Sequence, residues 1–124
     1  MAELNRILRL INKTFKKGAW HGPTVREVLE QVTPKQAHLR AGKSHSIVEL
    51  VLHMISWRTF VVKRLRGDVD YQVSDEMNFP LPGSLAWQEV VEKLEASQQE
   101  LAAAARSFSD DRLGDWVPGA SHKY

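Results

Sequence analysis

Histidine is the side chain in this sequence best suited to chemistry near neutral pH. There are five: His21, His38, His45, His53 and His122. A neutral imidazole can serve as a base or ligate a metal. Cysteine is absent, which excludes thiol nucleophiles, Cys-based zinc sites and disulfides together. The histidines form no HExxH or HxxxH pair, so no local run supplies a whole metal motif. GxSxG, P-loop and GxGxxG patterns are missing too. Any site must therefore be assembled by folding.

His53 is the leading metal-ligand candidate. At ~100° per residue it lies about 100° from Met54, the centre of the apolar face of its helix. Leu50 and Trp57 sit one turn away on either side, and Phe60 is near. This flank position faces a seam between helices. There the ring could ligate a metal through one nitrogen or serve as a hydrogen-bonded structural residue. His21 is a weaker metal candidate. It sits in Gly18-Ala19-Trp20-His21-Gly22-Pro23, a rigid connection that also reads as a plain turn with Trp20 plugging the bundle end. His38 and His45 read as cap or surface residues, and His122 falls in a terminal loop. Arg58 falls within the apolar face of the same helix as His53. It must snorkel, face a partner or pair with a carboxylate, which the acidic second half could supply. Arg64 lies on the same side as His53.

Helical periods must position these residues. Leu4, Ile7, Leu8, Ile11 and Phe15 follow one helix face, and Gly18 is a natural stop. Thr24-x-x-Glu27, Thr33-Pro34-x-Gln36 and Ser46-x-x-Glu49 are three helix-start signatures. The spacing predicts long helices over 3–17, 46–66 and 85–108, with short turns at 24–32 and 34–39. Gly67 ends the second long helix. Its core face reads Ile47, Leu50, Val51, Met54, Trp57, Val61 and Leu65. The third carries Trp87, Val91, Leu94, Gln98, Leu101, Ala105 and Phe108 at alternating steps of four and three. Between them, 67–83 is acidic, holds two prolines and has no helical period. It reads as a long crossover between distant helix ends. Residues 109–124 read as turn and loop.

The chain has 124 residues, enough for one domain over 1–124. Net charge is +2, but residues 1–66 hold thirteen Lys/Arg against four Asp/Glu, and 67–124 hold four against eleven. A basic half folded on an acidic half accounts for this better than nucleic-acid contact, since no long Lys/Arg run occurs. No stretch approaches the ~20 apolar residues of a membrane span, and no signal-peptide core opens the chain. A cytoplasmic location is expected.

Three stretches carry a family resemblance: GAWHGPTVREVLEQVTPKQAHLR, HSIVELVLHMISWRTFVVKRLRG and FPLPGSLAWQEVVEKLE. Together they resemble the DinB-like superfamily, including its YfiT-type metal-dependent hydrolases, over essentially the whole chain. The resemblance implies an all-α, up-down-down-up helical bundle with a long crossover between its second and third helices. It also implies a divalent metal, nickel or zinc, held by three histidines: one on the second long helix, two in an HxxxH pair on a fourth. His53 matches the first position. The other two have no counterpart, because the sequence ends where the fourth helix would begin. The expectation is a bundle of three long helices with the fourth missing. Its function would be that of a metal-dependent hydrolase or thiol-dependent transferase with an incomplete metal site. The substrate would be a small molecule, with or without a low-molecular-weight thiol. The alternative is a non-catalytic helical self-association domain. An apolar groove lined by Leu50, Met54, Leu94 and Leu101 is expected where the fourth helix would lie, and a homodimer would cover it.

Overall fold

A computed structural model of the chain describes residues 2–16 and 24–115. Among them are six α-helices and no strand: α1 (Ala2–Phe15), α2 (Val25–Glu30), α3 (Pro34–His38), α4 (Ile47–Leu65), α5 (Asp75–Asn78) and α6 (Trp87–Arg106). A 3-10 turn follows at Asp110–Arg112. The three long helices fall within two residues of the expected bounds. The expected stop at Gly18 and the turn carrying His21 lie outside the described residues, as does His122. No described helix is long and apolar enough to cross a membrane.

The three start signatures all operate. Thr24 Oγ1 accepts the Glu27 N–H at 3.3 Å. Thr33 and Gln36 exchange side chain and backbone at 3.2 and 3.0 Å, with Pro34 first in the helix. Ser46 and Glu49 do the same at 3.1 and 3.1 Å. Each bond satisfies an amide that a helix leaves without an internal partner. At the far end of α4, Asp68 N–H reaches Lys63 O and Gly67 N–H reaches Arg64 O, both at 3.0 Å. This closing turn needs Gly67 at φ 89°, which a side chain would disfavour.

Packing fixes the directions. Phe15, at the end of α1, packs with Val48, Val51 and Leu52 from the start of α4 and with Trp87, Val90 and Leu94 from the start of α6. At the other end, Leu4 and Leu8 pack on Ala102, Ala105 and Phe108, against Leu65. Hence α1 runs antiparallel to the other two, and α4 and α6 run parallel. The small Ala102 and Ala105 let α1 approach α6 closely. Asp110 Oδ1 accepts the Leu4 N–H at 2.9 Å and ties the two ends of the described bundle together.

Three expectations change. The crossover is not wholly irregular: Ser74 caps the one-turn helix α5 by accepting the Met77 N–H at 3.2 Å. Four residues are too few to show a period. The core face of α4 is also rotated. Val48, Val51, Leu52 and Val62 are its buried apolar residues, whereas Leu50, Trp57 and Val61 are exposed. The apolar residues cover a wide arc, and periodicity does not say which edge of it is covered. Leu94, expected on the groove, is 1% exposed and packs in the core with Phe15.

Glu49 anchors the entry to α4. Its buried carboxylate accepts from the Ser46 N–H and from Arg40 Nε and Nη2 at 2.9 and 3.1 Å. His45 Nδ1 adds a contact at 3.2 Å. The Ser46 backbone bond foremost, then His45 and Arg40, lower its pKa from 4.5 to about 2. A carboxylate held below its unfolded pKa stabilises the fold above that value. The stabilisation fades as pH falls through the window from 4.5 toward about 2. Glu49→Gln should therefore be less stable than the parent at pH 7. In urea titrations at stepped pH, the two stability curves should converge as pH approaches 2.

Candidate functional site

The crossover builds one wall of the site around His53. The His53 ring is half-buried, and its Nδ1 lies 2.7 Å from the carbonyl oxygen of Asn78. A carbonyl only accepts, so Nδ1 carries the proton and Nε2 of the neutral ring keeps its lone pair. The Asn78 side chain holds the neighbouring aromatic: its Oδ1 accepts the Trp57 Nε1–H at 2.8 Å. Phe79 then stacks on His53, with centroids 4.2 Å apart and planes 9° apart. It also stacks on His45 at 3.9 Å and 3°. Trp57 meets the His53 ring edge-on at 6.5 Å. His53 is thus fixed in tautomer by a backbone carbonyl and in ring plane by Phe79.

The other candidates separate from it. His45 is spent on Glu49 and Phe79. His38 sits between carbonyls, with Nδ1 2.9 Å from Pro34 O and Nε2 3.2 Å from Leu85 O, and so joins α3 to the start of α6. Arg64 is buried, donates to Tyr71 O at 3.2 Å and lies 4.8 Å over the Phe60 ring. It secures the start of the crossover instead of charging an open seam. Arg58 does share a cavity with His53. The two line an opening of about 340 Å³ with Met54, Trp57, Val61 and Leu101. Among the described residues the acidic half does not pair with Arg58: Glu95 goes to Arg26 at 2.6 Å and Glu100 to Arg66 at 3.3 Å. A larger cavity, about 560 Å³, lies under the Arg26–Glu95 pair between Leu29, Trp87 and Val91, and no described histidine lines it.

A metal-ligating histidine usually donates its second nitrogen to a carbonyl or carboxylate. His53 meets that requirement, and the Nδ1–Asn78 bond leaves Nε2 as the donor atom. A nickel or zinc centre needs three or more such donors. Among the described residues no group of three His, Cys, Asp or Glu stands close enough to hold an ion. The described residues therefore offer one free imidazole nitrogen and no metal centre, and no catalytic step follows from them.

Asn78 and Phe79 are functional neighbours that periodicity does not mark. The one available signal was Ser74-x-x-Met77, a hydroxyl placed to cap a turn that ends at Asn78. Fold and site together define an all-α bundle whose parallel second and third long helices are joined by a crossover that clamps an imidazole. A model of the DinB superfamily matches residues 19–122, and the chain belongs to that superfamily. No curated protein and no solved structure matches it.

The clamp can be taken apart one bond at a time. Asn78→Ala removes the acceptor for the Trp57 indole but keeps the carbonyl that holds His53. The expected cost is about 1 kcal/mol. In NMR spectra, the Trp57 Nε1–H signal should shift and exchange faster with solvent, while the His53 ring signals keep their positions.

Proposed function

We propose that this chain is a metal-dependent enzyme unit of the DinB superfamily, of the hydrolase or thiol-dependent transferase class, acting on a small molecule. In this reading His53 supplies one metal ligand. The others come from outside the described residues, from His21 or from a second chain. The observation that supports it is the Nδ1 bond to the Asn78 carbonyl, which presets Nε2 as a donor. A bound divalent ion would supply Lewis-acid chemistry and a more acidic bound water. The chain's own part is to hold the imidazole in one tautomer and to offer the cavity shared by His53, Trp57 and Arg58. The second reading, a non-catalytic helical self-association domain, draws on the exposed stripe of Leu50, Trp57 and Val61. It needs nothing from His53.

Metal content distinguishes the two. Untagged protein at the mass of one chain should hold well under one equivalent of nickel or zinc by elemental analysis. A higher-mass assembly should hold more, and His53→Ala should abolish the gain. Stoichiometric metal in every species, unchanged by His53→Ala, would place the ligands elsewhere. Absence of metal from every species after incubation with nickel or zinc would leave the self-association reading.

A further inference from the structure

Positions 45, 49 and 53 step by four and fall on one line along the entry to α4. Two of the three are histidines, and Phe79 of the crossover meets both. Its ring stacks on His45 at 3.9 Å and 3°, and on His53 at 4.2 Å and 9°. Two imidazoles cannot both lie flat on one face of a phenyl ring at such separations. They occupy opposite faces, so Phe79 is held between them.

Little else fixes the Phe79 ring. The residue follows the one-turn α5 and makes no backbone hydrogen bond among the described residues. Pro80 keeps its backbone out of the helical region, and φ −129°, ψ 80° obeys that limit. The limit does not set the ring angle, because the χ2 of phenylalanine is broad. A cavity of about 590 Å³ borders the ring, lined also by Asp75, Glu76, Pro80 and Leu81. His45, by contrast, is anchored from elsewhere. Its Nδ1 lies 3.2 Å from Oε2 of the buried Glu49. That carboxylate is itself fixed by the Ser46 N–H and by Arg40 Nε and Nη2. A carboxylate only accepts, so His45 Nδ1 donates and the ring is tied to α4.

We propose that His45 is a positioning residue for His53: acting through the Phe79 ring, it sets the plane of the His53 imidazole and with it the direction of Nε2. The Asn78 carbonyl fixes the tautomer. One hydrogen bond at Nδ1 still lets a ring rock about it, and a flat neighbour removes that freedom. Trp57, edge-on at 6.5 Å, offers no parallel surface. A ligand role beside His53 does not fit His45. With Phe79 between them, the two Nε2 atoms cannot meet one ion at the ~2.0–2.1 Å of a zinc–imidazole bond. Contact runs instead from Arg40 through Glu49, His45 and Phe79 to His53, so the segment before α4 reaches the site without entering it. The proposal concerns the imidazole itself and stands apart from the metal reading above.

NMR of the full chain in chelator, at one alkaline pH where imidazoles are neutral, reads the His53 ring directly. In the parent, Phe79 ring protons should show nuclear Overhauser contacts to both imidazoles. Absence of the contact to either ring would overturn the proposal before any substitution is made. His45→Leu and His45→Tyr both lose the bond to Glu49, but only the tyrosine keeps a flat ring over Phe79. The His53 ring-proton signals carry the ring-current shift of Phe79. They should move toward free-histidine positions in His45→Leu and stay near the parent's in His45→Tyr. The ring-nitrogen signals should report the Nδ1–H tautomer in both, since Asn78 still holds it. On a Phe79→Leu background, His45→Leu should change His53 no further. Unmoved signals in His45→Leu would show that His45 is only structural. Equal movement in the two variants would assign the effect to the Glu49 bond. Undiminished movement on the Phe79→Leu background would route it around the ring, and each of these results overturns the proposal.

Discussion

The parallel packing of α4 on α6 is the constraint from which the rest of this structure follows. A chain leaving the end of α4 must return the full length of the bundle before α6 can start beside the beginning of α4. That distance is about 28 Å for a nineteen-residue helix. Such a passage cannot be made by a tight turn. It has to be fastened along the way, and the fastenings define the site. Arg64 holds its start through Tyr71 O. Asn78 and Phe79 hold its middle through Trp57, His53 and His45. His38 Nε2 meets its end at Leu85 O. The setting of His53 is thus a consequence of topology: the crossover needs an anchor halfway along α4, and the imidazole provides it.

The same topology leaves one flank of α4 open. α6 covers one side of α4, and the crossover crosses another at His53 and Trp57. α1 packs on α6 and leaves a gap before α4. Apolar exposure in that gap is unfavourable by about 25 cal/mol per Å². A charge in partly desolvated surroundings is more costly per group than the loss of any one of these side chains to solvent. The Arg58 guanidinium, resting over Phe15 without a described carboxylate, is therefore the most informative residue in the groove. Scattered apolar residues are common on protein surfaces. A half-buried cation set among them at helix-packing spacing, with no described partner, is not.

What could be read from sequence was what depends on near neighbours along the chain. Thr24, Thr33, Ser46 and Gly67 act over three to five residues, and each does in the fold what its local pattern requires. The three long helices follow from periodicity of the same range, and the crossover followed from its lack of one. Facing was less legible. Ile47 to Leu65 is apolar over more than half its circumference, so the pattern could not choose between Leu52 and Leu50 as the buried edge. Only packing by α6 decides that. The partners of His53 were least legible of all. Asn78 contributes a backbone carbonyl, which any residue type could offer, and Phe79 reaches His45 and His53 across more than twenty residues of intervening chain. Arg58 shows the reverse case. Its misfit on an apolar face was visible in the sequence, but Glu95 and Glu100 of the acidic half are committed to Arg26 and Arg66 instead.

His53 and Arg58 meet at one cavity, and their charges bear on each other. A divalent ion held through His53 Nε2 would share an open cavity with the Arg58 guanidinium, and like charges there repel. A carboxylate brought to Arg58 changes the sign of that balance. It neutralises the guanidinium and adds negative potential at the imidazole end of the same cavity. By linkage, whatever carboxylate docking does for cation affinity at His53, a cation at His53 does equally for carboxylate docking. Filling the groove would cover the exposed stripe of α4, satisfy Arg58 and remove the repulsion that opposes a metal at His53. Those three effects share one cause, the flank of α4 that parallel packing with α6 leaves uncovered.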